Sequence, residues 1–160
     1  MSSTVKGFAV RTVDTQHGKT ELGHYAVNFS KVLPATATGN LFTVSGSIQA
    51  SLVGVVSVIG TTATHLSIGI TGSPALIAAN GAAQFSSVAV GSVFQLPSVL
   101  GGQLPAPVVA TGIAVGISLF EVSNTIITLT TDATNTAAIT WILCYSPLFP
   151  KSIATSVVNN

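Results

Sequence analysis

The chain has 160 residues, enough for one domain, and only nine formally charged side chains, with a net charge of +1. An average chain of this length carries roughly 40 charges. A mean hydropathy of +0.69 excludes intrinsic disorder, which needs low hydrophobicity and high net charge; the absence of a basic cluster argues against nucleic-acid binding; and a single cysteine, Cys144, excludes an internal disulfide framework and a cysteine-based zinc site.

Residues 1–31 hold six of the nine charges: Lys6, Arg11, Asp14, Lys19, Glu21 and Lys31. This segment reads as a charged N-terminal arm or edge segment. Residues 32–160 are the apolar body. From Val32 to Phe120 it runs 89 residues without Asp, Glu, Lys or Arg. A surface this poor in charge belongs either in a membrane or against other subunits. Leu52–Ile59 and Val108–Phe120 are the best membrane candidates. Both are far shorter than the ~20 apolar residues a spanning helix needs, and both are interrupted by Ser, Thr or Gly. A membrane β-barrel would show aromatic girdles, and the chain has ten aromatics in all. "MSSTVKGFAVRTVDTQHG" lacks the apolar core of a signal peptide. No membrane association is expected.

The body reads as β throughout, since Val, Ile and Thr dominate and Glu, Lys and Arg are nearly missing. Phe42, Val44, Ile48, Ala50, Leu52, Val56 and Val58 share one parity. Thr43, Ser45, Ser47, Gln49, Ser51 and Ser57 share the other. That period of two predicts strands with one buried face. Ser45-Gly46-Ser47 reads as a turn between two of them. Val53, Val55 and Ile59 break the polar face, and predict a second face covered by another layer or subunit. Leu66, Ile68 and Ile70 then alternate with His65, Ser67 and Gly69. Asn80-Gly81 is a tight-hairpin signal. "SSVAVGSVFQLP" predicts a strand ending at Pro97. Leu96–Val108 concentrates Pro and Gly-Gly and reads as a long loop or protrusion. Ile113, Val115, Ile117 and Leu119 suggest a further strand, and Ser123-Asn124 another turn. "TIITLTT" and "AAITWILCY" are two strands separated by the polar turn Asp132–Asn135. About eight to ten short strands result. The expected fold is all-β: an antiparallel β-sandwich, jelly-roll-like, or a barrel, preceded by an arm.

"LPATATGNLFTVSGSIQASLVGVVSVI" and "AAITWILCYSPLFPKSIATSV" resemble segments of small virion proteins of tailed bacteriophages, often described as head decoration or cement proteins. In that pattern a Pro-Ala-Thr approach leads into an LFTVSG-like strand, and an Ile-x-Trp strand closes on a Tyr-x-Pro-Leu turn. The resemblance covers about a third of the chain. It implies a structural protein made in the host cytoplasm, located on the capsid exterior, homotrimeric and bound to the major capsid protein. Lys6, Arg11, Lys19 and Lys31 would be the arm's capsid contacts. Val53, Val55 and Ile59 would be the oligomer-interface residues.

Enzymatic readings have weaker support. His17, His24 and His65 could ligate a metal with Asp14 or Glu21, but no pair has helical i, i+4 spacing or a known ligand motif. No G-x-S-x-G elbow is present. No Gly-rich turn opens a phosphate-binding helix. Neither a catalytic site, a metal site nor a cofactor is expected. Trp141 is expected to pack with Ile139, Leu143 and Tyr145 on one strand face. Cys144, on the opposite face with Thr140 and Ile142, reads as a small buried hydrophobe. Asn28-Phe29-Ser30 matches a glycosylation sequon, which matters only on export. The alternative to the capsid role is a head-fibre or tail adhesin for host glycans, using the Leu96–Val108 segment and exposed aromatics such as Phe94; a third reading is a β-barrel pore protein, since barrel strands give weak sequence signals.

Overall fold

The computed structural model describes residues 24–32, 37–81, 87–109 and 118–157. Nine strands form one hydrogen-bonded sheet: β1 (His24–Val32), β2 (Thr38–Val58), β3 (Leu66–Ile70), β4 (Ser73–Ala78), β5 (Ser92–Gln95), β6 (Val108–Val109), β7 (Phe120–Thr131), β8 (Ala138–Pro147) and β9 (Ile153–Ser156). Every ladder is antiparallel. The order across the sheet is β1-β8-β2-β7-β3-β4; β5 and β9 also pair with β2, and β6 with β5. The sequence boundary at residue 31 falls inside β1, whose one ladder among the described strands is with β8.

β2 organises the whole. Its 21 residues carry the predicted alternation. Phe42, Val44, Ile48, Ala50, Leu52 and Val56 are buried, while Val58, at the strand's end, is 49% exposed. The expected turn at Ser45–Ser47 is instead a bulge within this one strand. Val44 pairs with Thr125 and Ser47 with Ser123, so two residues of β2 face the single Asn124 of β7. Gly46 takes φ +77 and Asn124 φ +44. An extra residue in one strand bends it and increases its twist. Ser123-Asn124 is therefore also no turn: the two expected turns are the two sides of one bulge. A second irregularity, between Asn40 and Phe42, lets the consecutive Leu41 and Phe42 both reach the core.

The connections show how far β2 curls. Thr38 pairs with Thr130 at the end of β7, and Val58 pairs with Ala138 at the start of β8. Residues 132–137 alone join those two places. Such a link spans at most ~25 Å, whereas a straight β2 would measure ~65 Å. The strand must bend back on itself. The β2–β3 connection, residues 59–65, bridges the same gap, because Leu66 pairs with Thr131. The result is a curled antiparallel sheet with two wings. One holds the first half of β2 with β7, β3, β4 and β9; the other holds the second half with β8, β1, β5 and β6. Both wings supply one hydrophobic core, with Phe42, Ile68, Ile127 and Leu129 from the first and Leu52, Phe94, Ile139, Trp141 and Leu143 from the second.

Trp141 packs as expected, with Ile139, Leu143 and Tyr145 buried beside it. Its ring lies over Gly54, where an added Cβ would stand 2.7 Å from the indole. The Phe94 ring lies 6.3 Å from the indole, centroid to centroid.

Two local expectations are corrected. Among the described residues Asn80-Gly81 closes no hairpin: β4 ends at Ala78 and forms no ladder with β5, the next described strand. Gly81 instead packs against the main chain of Leu104. The tight two-residue turn is Thr71-Gly72, between β3 and β4, with Gly72 at φ +82. The Pro-rich Leu96–Val108 segment is not a free protrusion. It runs along β4, through a parallel bridge from Ala79 to Gln103 and the bonds Ala79 N–H to Gly102 O (2.9 Å) and Leu104 N–H to Ala79 O (3.0 Å), and thereby shields that sheet edge. The strand expected at Ile113–Ile117 lies outside the described residues, and Leu119 is exposed.

Candidate functional site

Two places on the body concentrate side-chain chemistry: the seam where the curl closes, and the surface left apolar around it.

At the seam the β2–β3 connection and the β7–β8 turn are laced together. The Asp132 carboxylate accepts from the His65 main-chain N–H (2.7 Å, Oδ1) and from the His65 ring at Nδ1 (2.5 Å, Oδ2). Asn135 donates through Nδ2 to the Thr62 carbonyl (2.6 Å) and to Thr64 Oγ1 (2.9 Å), and its Oδ1 accepts from the Ala137 N–H (2.8 Å). Thr64 and Asn135 are buried. Gly60 leaves the space that Asn135 occupies, since a Cβ there would meet its side-chain carbonyl oxygen. Desolvation alone would raise the Asp132 carboxyl. The bonds from the His65 main chain and ring, with the ring's charge, outweigh it and hold the group below the ordinary carboxylate value. A carboxylate that fixes an imidazole at Nδ1 is the orienting half of a nucleophile–His–Asp arrangement. Here Asp132 is the ring's one hydrogen-bond partner among the described residues. No group of three or more His, Cys, Asp or Glu side chains assembles among the described residues either. The pair ties the β2–β3 connection to the β7–β8 turn.

The sequence missed this pair because His65 and Asp132 stand 67 positions apart. Its nearest local signal was the polar turn Asp132–Asn135, which the structure places between β7 and β8 as expected.

Apart from Leu119, the exposed large hydrophobics among the described residues fall into three groups, each tied together by the backbone. Val58 and Ile59 adjoin Val90, since the Gly91 N–H bonds Val56 O and the Ser87 N–H bonds Gly60 O. Leu76 adjoins Val99 and Leu100, beside the bond from Gly101 N–H to Ile77 O. Leu148, Phe149 and Ile153 surround the β8–β9 turn, where Phe149 is 65% exposed.

Of the expected interface residues, Val53 and Val55 are half-buried on the outer face of β2, opposite Ile142 and Thr140 of β8. Ile59 lies beyond the strand and is 48% exposed. Lys31 lies in β1, where its backbone pairs with Ile139; Lys6, Arg11 and Lys19 lie outside the described residues, as does His17. Cys144 is exposed, which corrects its reading as a buried hydrophobe: its parity was right, but the outer face of β8 is open at that rung. Phe94 is 3% exposed, so it cannot serve as the surface aromatic of a glycan site. No helix among the described residues is long and apolar enough to cross a membrane.

No family model, curated protein or solved structure matches this chain.

Proposed function

We propose that this chain is a structural virion subunit, a homo-oligomeric decoration protein that binds the major capsid protein lattice and stabilises the shell from outside. The observation that carries the reading is the surface. Three groups of exposed large hydrophobics sit on a chain with nine charges in 160 residues. A free monomer with such a surface is prone to associate, and obligate interfaces, which commonly bury more than ~2,000 Å² of mostly apolar area, are its natural complement. The two wings facing each other across one core support the finer architectural reading, a jelly-roll-like β-sandwich whose corner is the bent β2. Copies close on each other, with a trimer as the expected state. The charged arm, with Lys6, Arg11, Lys19 and Lys31, clamps neighbouring capsid subunits. A ligand that binds only the assembled shell stabilises it by mass action. Light scattering of the purified chain is expected to report a trimer, and the protein is expected to cosediment with capsids. A monomer would remove the interface argument, and failure to cosediment would remove the decoration role.

A further inference from the structure

The seam has a property that does not depend on what the protein binds. A short link joins β7 to β8 at the places where they pair with the two ends of β2, and the β2–β3 connection crosses the same gap. His65 and Asp132 tie these two connections to each other, next to the bond from Thr131 N–H to Ala37 O (3.1 Å). Most of the seam's other bonds, from Asn135 to Thr62, Thr64 and Ala137, are between groups without a titrating proton. The seam thus has one protonation-sensitive fastening.

Among the described residues, no other ionisable group lies in the segments that make up the seam. Residues 59–65 and 132–137 contain no ionisable side chain besides His65 and Asp132, and neither does the adjoining segment 87–91. Lys31 is the nearest other ionisable residue by backbone register, through its pairing with Ile139. Glu121 stands at the far end of β7, opposite Gln49. Cys144 and Tyr145 lie toward the far end of β8, opposite Ser51 and Ala50, and Lys151 is in the β8–β9 turn. The His65 and Asp132 side chains are 31% and 40% exposed, so protons reach them directly from solvent.

The geometry points to an acid-released clasp: the Asp132 carboxylate, held by the main chain and ring of His65, fastens the two connections that close the curl, and its protonation frees them. A carboxylate accepts two charge-assisted bonds here; the neutral acid forfeits that charge assistance. Because the folded carboxyl is held below its ordinary value, the stabilisation is complete above the unfolded value of about 3.9 and is lost as pH falls through the folded one. Release therefore belongs to the range below about pH 4. The buried bonds of Asn135 do not titrate and still join the two connections below that range, so what is released is the His65–Asp132 fastening alone and the response is local.

Amide hydrogen exchange on the full-length protein tests this, with rates corrected for the intrinsic pH dependence. As the pH is lowered stepwise from 6 through the range below about 4, protection in residues 59–65 and 132–137 is expected to fall about fivefold relative to the β2–β8 ladder once the carboxyl is protonated. In Asp132→Asn an amide oxygen still accepts from the His65 N–H but no longer titrates, so the selective loss is expected to disappear. Lys31→Gln is expected to behave as wild type. Uniform loss across the sheet in the wild type, an unchanged selective loss in Asp132→Asn, or abolition of the response by Lys31→Gln would each overturn the clasp. The wild-type profile decides the question even where the Asn variant does not fold.

Discussion

The two halves of β2 share one alternation but present different outer faces. In the first half the outward residues are Asn40, Thr43 and Ser45, all exposed. In the second they are Gln49, Ser51, Val53, Val55 and Ser57, all half-buried. The first half is interrupted by bulges and stitched by polar contacts: Gly46 N–H to Asn124 Oδ1 (2.8 Å), Ser47 N–H to Ser152 Oγ (3.0 Å) and Ser47 Oγ to Ser123 Oγ (2.9 Å). The second keeps strict alternation from Ile48 to Val56 and is filled by Trp141 over Gly54. Shape is set in the first half by backbone conformation and hydrogen bonds, and in the second by side-chain volume.

Substitutions can separate these two kinds of determinant, and the volume-dependent half is expected to be the more sensitive. Trp141→Ala empties the space above Gly54 and is expected to cost about 3–5 kcal/mol in chemical denaturation. Gly46→Ala comes next, at about 2–4 kcal/mol, because the new Cβ combines a positive φ with overlap onto Ser152, whose Cα would be 2.9 Å away. Gly72→Ala is its control. That glycine has a similar φ with nothing within 4 Å, so it isolates the backbone penalty at roughly 1 kcal/mol. Ser152→Ala removes the acceptor for the Ser47 N–H and is expected to cost about 1 kcal/mol. The smallest effects are on the outer faces: Val53→Thr and Thr43→Val should each change stability by less than about 1 kcal/mol, with Val53→Thr the more damaging because its site is half-covered. Equal losses for Gly46→Ala and Gly72→Ala would mean that contact with Ser152 contributes nothing to the bend.

The sequence made the strand faces legible wherever alternation met a buried side: Phe42 to Val56 on β2, and Ile139 to Tyr145 on β8. It misread the places where glycine and asparagine signal positive φ. Ser45-Gly46-Ser47 and Ser123-Asn124 look like turns because turns and bulges use the same backbone conformations. Which one forms depends on whether a neighbouring strand continues past it. That information is held about 80 residues away, in the pairing of Val44 with Thr125 and Ser47 with Ser123. Asn80-Gly81 differs for the reverse reason: β5, the next described strand, pairs with β2 and β6 rather than with β4, and the Gln103 segment takes that edge instead. The His65–Asp132 pair was illegible because a sheet brings residues together by topology, not by a local period. The exposure of Cys144 was illegible because parity tells which face a residue occupies but not what covers that face.

The central position of β2 also has a consequence during synthesis. Its long ladders are with β7 and β8, whose residues follow it by more than sixty positions. Among the described strands, only the three-residue ladder with β5 is available earlier. While the ribosome travels from Val58 to Thr131, at ordinary elongation rates on the order of 4–15 s, a 21-residue apolar strand emerges without its principal partners. Nearly all of its pairing is of long sequence separation, the kind that forms slowly. Nascent chains on neighbouring ribosomes could then pair through β2 before β7 exists, so yield in the cell should depend on elongation speed and chaperone supply at least as strongly as on the stability of the finished fold.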